Sequence, residues 1–398
     1  MSARADVLVY VQHLLGIGHI RRAAVLARAF RRAGLTVVFV SGGLPVDGLG
    51  LDGIEVVQLP PARSRDDSFT VMLDEHDRPI DDAWKARRRD LLLATYRRWR
   101  PRALVIELYP FGRRKLRFEL EPLIETARAD HPRPLIACSL RDIVDRPEKA
   151  EKTAWMIDRF SRQFDLVYIH GDPRVFRLED SFPECAALAG RLHYTGYVTE
   201  AGRALAAART GAETAGRGEV VVSAGGGAVG GALLRAALAA RPLSPLAEVP
   251  WRLLAGPNLA AAEFRALAAA APPGVTVERA RPDFVALLSR ARLSISQGGY
   301  NTLMEVLATG VPGVIVPFAG GSETEQTRRA ELLAARGLIT VVREAELSPE
   351  SLADGIARAL ARHGAPGTGA AGKAALLRLD GAEETARHLT AQLQERAA

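Results

Sequence analysis

The chain has 398 residues, 48% of them hydrophobic and 25% charged, with a formal net charge of +7. That length predicts two domains with a core each, and the composition is that of a folded globular protein, which excludes a disordered or low-complexity chain. Two cysteines, Cys138 and Cys185, match no disulfide framework, zinc or redox spacing, and no apolar run reaches the roughly 18 residues that span a bilayer. The compartment expected is a reducing cytoplasm, with any membrane contact peripheral at the inner face.

Val7 to Val11 opens the chain as a strand rather than a signal-peptide core, because Asp6, Gln12, His13 and His19 interrupt the apolar run. Further strands are predicted at residues 36–40, 54–58, 103–106, 135–138 and 166–169, with helices at 20–33, 84–99 and 116–129 between them. Strand and amphipathic helix alternate, the pattern of an α/β chain with parallel sheets. Residues 85–117 hold 12 Lys or Arg against Asp90 and Glu107, interleaved with Leu91, Tyr96 and Trp99. This reads either as a solvated helix face or as a contact with anionic lipid or phosphate. No nucleic-acid module is present, so nucleic acid is not an expected partner.

Ligand-facing residues of parallel sheets gather beyond the carboxyl ends of the strands. His13 and His19 follow the first strand, Glu107 ends the strand from Ala103, Arg141 and Asp142 trail the strand at Cys138, and His170 closes the strand at Ile169. Taken singly, each fits a cap or a solvated strand end. Their convergence on one sheet edge makes them acceptor-site candidates.

An Ala-, Arg- and Gly-rich segment at 199–218 reads as the connection between a first domain, 1–198, and a second, 219–381. The strand pattern restarts at 219–223, 251–254, 275–278, 293–296, 314–317 and 338–341, and residues 364–372 form a low-complexity bridge to a final helix at 382–396. Gly225, Gly226, Gly227 and Gly230 spell G-x-G-x-x-G after a strand, a phosphate-binding turn. A dinucleotide site would need an acid about 20 residues on, at the end of the next strand, and Leu254-Ala255-Gly256 supplies none.

The densest signal runs from Ser296 to Ala330. Gln297, Gly298 and Gly299 follow a buried strand, the glycines permitting close backbone approach, and Asn301 and Thr302 are expected to open a helix whose free N–H groups face an anion. One turn on, Glu305 offers a carboxylate to a ribose diol, while Gly310 ends the helix. Thr302 with Glu305, and Ser322 with Glu325, also fit the capping box. Capping alone predicts neither the paired glycines, nor the Gly310-Val311-Pro312 exit, nor the polar cluster Glu325-Gln326 one strand later. The ensemble reads as a nucleotide-sugar pocket. No Asp-x-Asp metal signature stands out, so no metal or resident cofactor is expected.

These motifs resemble the GT-B glycosyltransferases, in particular the family that includes the peptidoglycan lipid II N-acetylglucosaminyltransferase. The resemblance implies two Rossmann-like domains facing a central cleft, the fold class expected here. It implies ribose binding by Glu305 and donor-sugar contacts by Gln326, with Glu325 a second candidate. Gly16-Ile17-Gly18-His19 resembles the family's glycine-rich loop with its functional His, and the final helix would return to the first domain. Two positions depart from the pattern: Gln297 stands where plant-type enzymes carry His, and Arg21-Arg22 replace a small, proline-rich segment.

The activity so implied is metal-independent, inverting transfer of a sugar from a UDP-sugar, a UDP-N-acetylhexosamine by resemblance, to the hydroxyl of a lipid-linked or anionic acceptor. His19 is the first choice of general base and Glu107 the second. Gly18, Arg21, Arg22, Arg141, Asp142 and His170 are candidate acceptor contacts. A UDP-N-acetylglucosamine 2-epimerase and a non-catalytic sugar-nucleotide-binding subunit are the alternatives.

Overall fold

A computed structural model describes residues 4–65, 70–144, 149–208, 214–224, 230–256, 259–319, 325–363 and 377–397. The chain divides into two compact units, Met1–Val198 with Asp380–Ala398, and Thr199–Leu379. Gly225, Gly226, Gly227, Ser322 and the bridge at 364–372 lie outside the described residues.

The first unit is built on β1 (Val7–Val11), α1 (Gly18–Arg32), β2 (Val37–Ser41), β3 (Glu55–Gln58), the short hairpin β4 (Arg63–Ser64) and β5 (Met72–Leu73), and α2 (Asp82–Trp99). It continues through β6 (Ala103–Glu107), α3 (Arg117–Ala129), β7 (Leu135–Arg141), α4 (Ala150–Gln163), β8 (Leu166–His170), α5 (Leu178–Ser181) and β9 (Leu192–Tyr194). Seven of these strands form one sheet in the order β3-β2-β1-β6-β7-β8-β9, and each pairing is parallel. β1, β2, β6 and β8 are buried along their whole length, which is why they read as continuous β-branched runs rather than alternating ones. Alternation survives in where the side chains go: Leu8 and Tyr10 enter one core layer, Val7, Val9 and Val11 the opposite one.

The second unit holds α6 (Ala201–Ala208), β10 (Val220–Ser223), α7 (Gly231–Ala240), β11 (Trp251–Ala255), α8 (Ala261–Ala270), β12 (Val275–Arg279), α9 (Phe284–Arg290) and β13 (Leu293–Gln297). It ends with α10 (Tyr300–Thr309), β14 (Gly313–Val316), α11 (Glu325–Ala335), β15 (Thr340–Val341) and α12 (Pro349–His363). Its parallel sheet runs β12-β11-β10-β13-β14-β15, the doubly wound Rossmann order with the reversal between β10 and β13. The last helix, α13 (Gly381–Glu395), belongs to the first unit, where Ala382, Ala386, Leu389 and Leu393 enter the core layer that also takes Ile20, Ala24 and Ala27 of α1.

Several elements differ from the sequence reading. β7 runs to Arg141, since Ser139, Leu140 and Arg141 keep pairing with β8 and Ser139 also pairs with Glu107, so Arg141 ends the strand instead of trailing it. Helix α4 and the 3-10 turn at Pro183–Arg191 have no counterpart in that reading. Part of the presumed connection folds as α6, packed on α9 and α10. In the basic stretch, Asp81 caps α2 by accepting from the Trp84 N–H at 2.7 Å, and Trp84, Leu92 and Tyr96 turn into the core. Arg88 is buried with them, while Leu91, Lys115 and arginines such as Arg87 stay exposed. Among the described residues no helix is long and apolar enough to cross a membrane.

Candidate functional site

In the first sheet the strand order reverses between β1 and β6, and the crevice beyond their carboxyl ends is where an open parallel sheet binds ligands. β1 leads through Gln12 and His13 into α1, which carries His19 as its second residue, and β6 ends on Glu107. The His19 Nδ1–H donates to Glu107 Oε1 at 2.6 Å, and Arg22 Nη2, one turn along α1, donates to the same oxygen at 2.6 Å. Glu107 and Arg22 are 1% and 2% exposed, whereas the His19 side chain keeps 16%. With its proton held at Nδ1 by the carboxylate, the imidazole presents an unprotonated Nε2, which has no hydrogen-bond partner among the described residues. This is the arrangement of an oriented general base.

Charge supports that protonation state. Burial pushes the His19 imidazole down to about 4; Glu107 opposes the shift, and Arg113 and Arg141 add to it. Burial would raise the Glu107 carboxyl, but His19, then Arg22 and Arg113, outweigh it and hold it at about 2. The pair is therefore a carboxylate and a neutral ring at neutral pH. Glu107 is itself buried, with His19 the more exposed member of the pair.

The segment between β1 and α1 rests on a second ion pair. Arg88, fully buried, donates from Nε to Glu119 Oε2 at 2.7 Å, from Nη2 to Gln12 Oε1 at 2.6 Å, and from Nη1 to the carbonyls of Gly42 and Pro60 at 2.6 and 2.7 Å. Tyr10 donates to Glu119 Oε1 at 2.6 Å. Gly42 and Gly43 follow β2 without side chains because a Cβ there would run into the Arg88 guanidinium and the His13 ring. Nothing in the sequence marks Arg88 for this role beyond its place in a basic helix.

The remaining acceptor candidates separate. Gly18 opens α1, and Arg21 is exposed beside His19. Arg22 was expected to meet the acceptor, but it is buried against Glu107 and positions the dyad. Asp142 is 1% exposed and accepts from the Ile143 N–H at 3.0 Å. His170 is fully buried between Ser139 Oγ, 2.8 Å from Nε2, and Thr195 Oγ1, 3.0 Å from Nδ1, so it braces β7 against the segment after β9. Arg141 lies at the end of β7 near enough to act on His19. The sequence reading missed Arg113, whose Nε donates to the Gln12 carbonyl at 2.9 Å.

In the second unit, Gln297 ends β13 and Gly298 and Gly299 make the turn into α10. A Cβ on Gly298 would stand 3.2 Å from Pro317 Cα, which explains the glycine by close packing. α10 begins at Tyr300, one residue earlier than expected, with Gly299 at its N-cap and no side-chain cap, so Thr302 is its third residue and the capping box with Glu305 does not form. The first N–H groups of α10 thus have no capping side chain, the condition for anion binding at a helix start. Asn301, Thr302 and Glu305 are half-buried along its first turns.

Gly310 ends α10 at φ 71°, in the left-handed region. Glu325, read as a sugar contact, is 1% exposed and paired with Arg329, whose guanidinium lies 5.3 Å from the Tyr300 ring centroid. That pair ties α11 to the start of α10 and leaves Gln326, half-buried on the same turn, as the hydroxyl-binding candidate. Among the described residues no cluster of His, Cys, Asp and Glu could hold a metal.

Comparison with known proteins places these geometries. Residues 224–380 match the model of the glycosyltransferase family 28 C-terminal domain. The UDP-N-acetylglucosamine–N-acetylmuramyl-(pentapeptide) pyrophosphoryl-undecaprenol N-acetylglucosamine transferase of Thermotoga neapolitana is 34% identical over 84 residues, 21% of this chain and 25% of its own. The enzyme of the same name from Brucella anthropi is 40% identical over 72 residues, 18% of this chain and 19% of its own. The matched stretch thus spans a quarter or less of these relatives' length. CalG4, the calicheamicin glycosyltransferase, superposes with a TM-score of 0.62 at 16% identity, covering 98% of this chain and 97% of its own. Acinetobacter baumannii MurG does so at 0.61 and 16%, covering 97% and 99%. The chain therefore shares its fold with these glycosyltransferases, and residues 224–380 of its second unit are similar to the glycosyltransferase family 28 C-terminal domain.

Proposed function

We propose that this chain transfers a sugar from a UDP-sugar, a UDP-N-acetylhexosamine in keeping with the relatives' names, to an acceptor hydroxyl. The observation that carries the reading is the His19–Glu107 dyad, an oriented neutral imidazole at the switch point of the first sheet. His19 Nε2 takes the acceptor O–H proton as that oxygen bonds to the anomeric carbon. The bond from that carbon to the diphosphate breaks, and its electron pair leaves on the diphosphate oxygen. Attack opposite the leaving group inverts the anomeric centre. In the second unit, the uncapped start of α10 would meet the diphosphate, Glu305 the ribose diol and Gln326 the sugar. That electrostatic support is suited to a metal-independent transfer. Gly225, Gly226 and Gly227 would add backbone donors, and a lipid-linked acceptor agrees with the pyrophosphoryl-undecaprenol in the relatives' names.

Two variants test the division of labour. His19→Ala should lower kcat by about 10²- to 10⁴-fold with UDP affinity unchanged. Glu305→Ala should weaken UDP binding by about tenfold or more, measured by calorimetry, from loss of a charge-assisted hydrogen bond. Epimerised UDP-sugar formed without acceptor, or full turnover by His19→Ala, would overturn the reading.

A further inference from the structure

The chain passes between its two units twice, after Val198 and after Leu379. At the first unit the two passages lie side by side: the Gly381 N–H donates to the Tyr197 carbonyl at 3.0 Å, and a Cβ on Gly381 would run into the Gly196 carbonyl. That close approach holds only while α13 stays docked. The helix gives its apolar stripe of Ala382, Ala386, Leu389 and Leu393 to the core, and a polar side of it meets β8 and β9.

On that side, His388 of α13 stacks on His193 of β9, with ring centroids 3.8 Å apart and planes at 28°. Tyr168 of β8 stands edge-on to both rings, at 5.6 and 5.9 Å. Burial pushes the Tyr168 hydroxyl up, so it keeps its proton and donates it to His388 Nδ1 at 3.1 Å. His388 is thereby a neutral ring with its own proton on Nε2. The His193 Nε2–H donates to Glu384 Oε1 at 3.2 Å, and Arg387 pairs with the other oxygen of that carboxylate. Of the other charges about the helix, Glu395 lies on α13 itself, Glu383 meets Arg32 of α1 at 3.1 Å, and Arg396 meets Asp165 at 3.5 Å. Burial, then His193, lowers the His388 imidazole; Glu384 and Glu395 oppose the shift and Arg387 adds to it.

We propose that the His193–His388 stack is an acid-released latch for α13, a device of the fold separate from the transfer chemistry. Two imidazolium rings at stacking distance repel, and a proton on His388 Nδ1 would face the Tyr168 O–H, so the docked pair holds at most one proton. Once the helix leaves the sheet, His388 returns to the ordinary imidazole range, about 6.5. The docked state therefore binds fewer protons. Docking is complete above about pH 6.5 and weakens as pH falls below it.

The test is amide hydrogen exchange of the full chain followed by mass spectrometry between about pH 7.5 and about pH 5.5, corrected for the intrinsic exchange rate at each pH. The opening constant of α13 should rise by about three- to tenfold per pH unit below about 6.5, the scale set by uptake of one proton, while α4 of the same unit stays level. His388→Gln keeps an acceptor for Tyr168 but takes up no proton, and His193→Phe keeps a stacked ring. Each should flatten the response of α13, and the second variant decides if the first does not dock the helix. An α13 opening constant that ignores pH, an equal response in α4, or an unchanged response in both variants overturns the inference.

Discussion

An imidazole serves as a general base only when its single proton sits on the far nitrogen, and at His19 that choice is made by Glu107 Oε1 at 2.6 Å. The depressed imidazole fixes the direction of the pH dependence. A ring held near 4 stays neutral, and therefore competent, down to that pH, so the acid limb of kcat/KM should fall near 4 and not near 6.5. The same sign governs stability: the unfolded ring takes a proton below about 6.5 and the folded one resists, so this contribution is complete above 6.5 and lost as pH falls towards 4. Glu107→Gln removes the charge that favours imidazolium and loosens the ring. It should lower kcat by about 10²-fold or more and move the acid limb lower still, readable in a pH–rate profile. The sequence singled out His19, after a glycine-rich turn, and Glu107, at a strand end, and the structure brings the two side chains to 2.6 Å. The roles of Arg22, His170 and Glu325 were not legible there, since a polar residue near a strand end or helix start looks the same whether it faces a ligand or a buried partner.

At the level of elements, the loop after β1 is held from below by α2. Arg88 reaches from that helix to Glu119 of α3, to Gln12 after β1, to the Gly42 carbonyl after β2 and to the Pro60 carbonyl after β3, so four segments share one guanidinium. Arg88→Met leaves the Glu119 carboxylate buried without its counter-ion. It should cost about 3–5 kcal/mol of stability by urea unfolding, far more than loss of an exposed arginine such as Arg87. The sequence showed α2 as a strongly basic helix and suggested surface. It gave no sign that its Arg88 face points inward, because Trp84, Arg88, Leu92 and Tyr96 bury one stripe whose second member is charged. Helix α10 shows the reverse case, where a glycine N-cap in place of the expected Asn or Thr leaves its start available to an anion.

For the whole molecule, two doubly wound sheets are built from one chain, and the last helix returns to the first of them. Leu389 and Leu393 are 0% and 2% exposed in the core layer shared with α1, and Arg102 Nη2 donates to the Leu393 carbonyl at 2.6 Å. Leu389→Ala should therefore destabilise the first unit by about 2–5 kcal/mol. Trp84, Trp99 and Trp155 lie in that unit and Trp251 in the other, so fluorescence of Trp-to-Phe derivatives resolves them. The first unit's unfolding midpoint should fall while that of the second stays in place; a shared shift would contradict the assignment of α13.

The sequence by itself determined the two parallel sheets and the strand, glycine turn and helix that begin at Leu293, because periodicity, β-branched runs and Gly placement are local properties of a chain. It also supplied the His and the acid of the dyad. Only the tertiary structure decided which polar groups meet: that His19 and Arg22 share one oxygen of Glu107, that Arg88 closes a buried network, and that Arg113 donates to the Gln12 carbonyl. Those contacts join residues as far apart as 101 positions in the chain, and a hydrogen bond between them is set by the packing of sheets and helices, not by any local preference of the residues themselves.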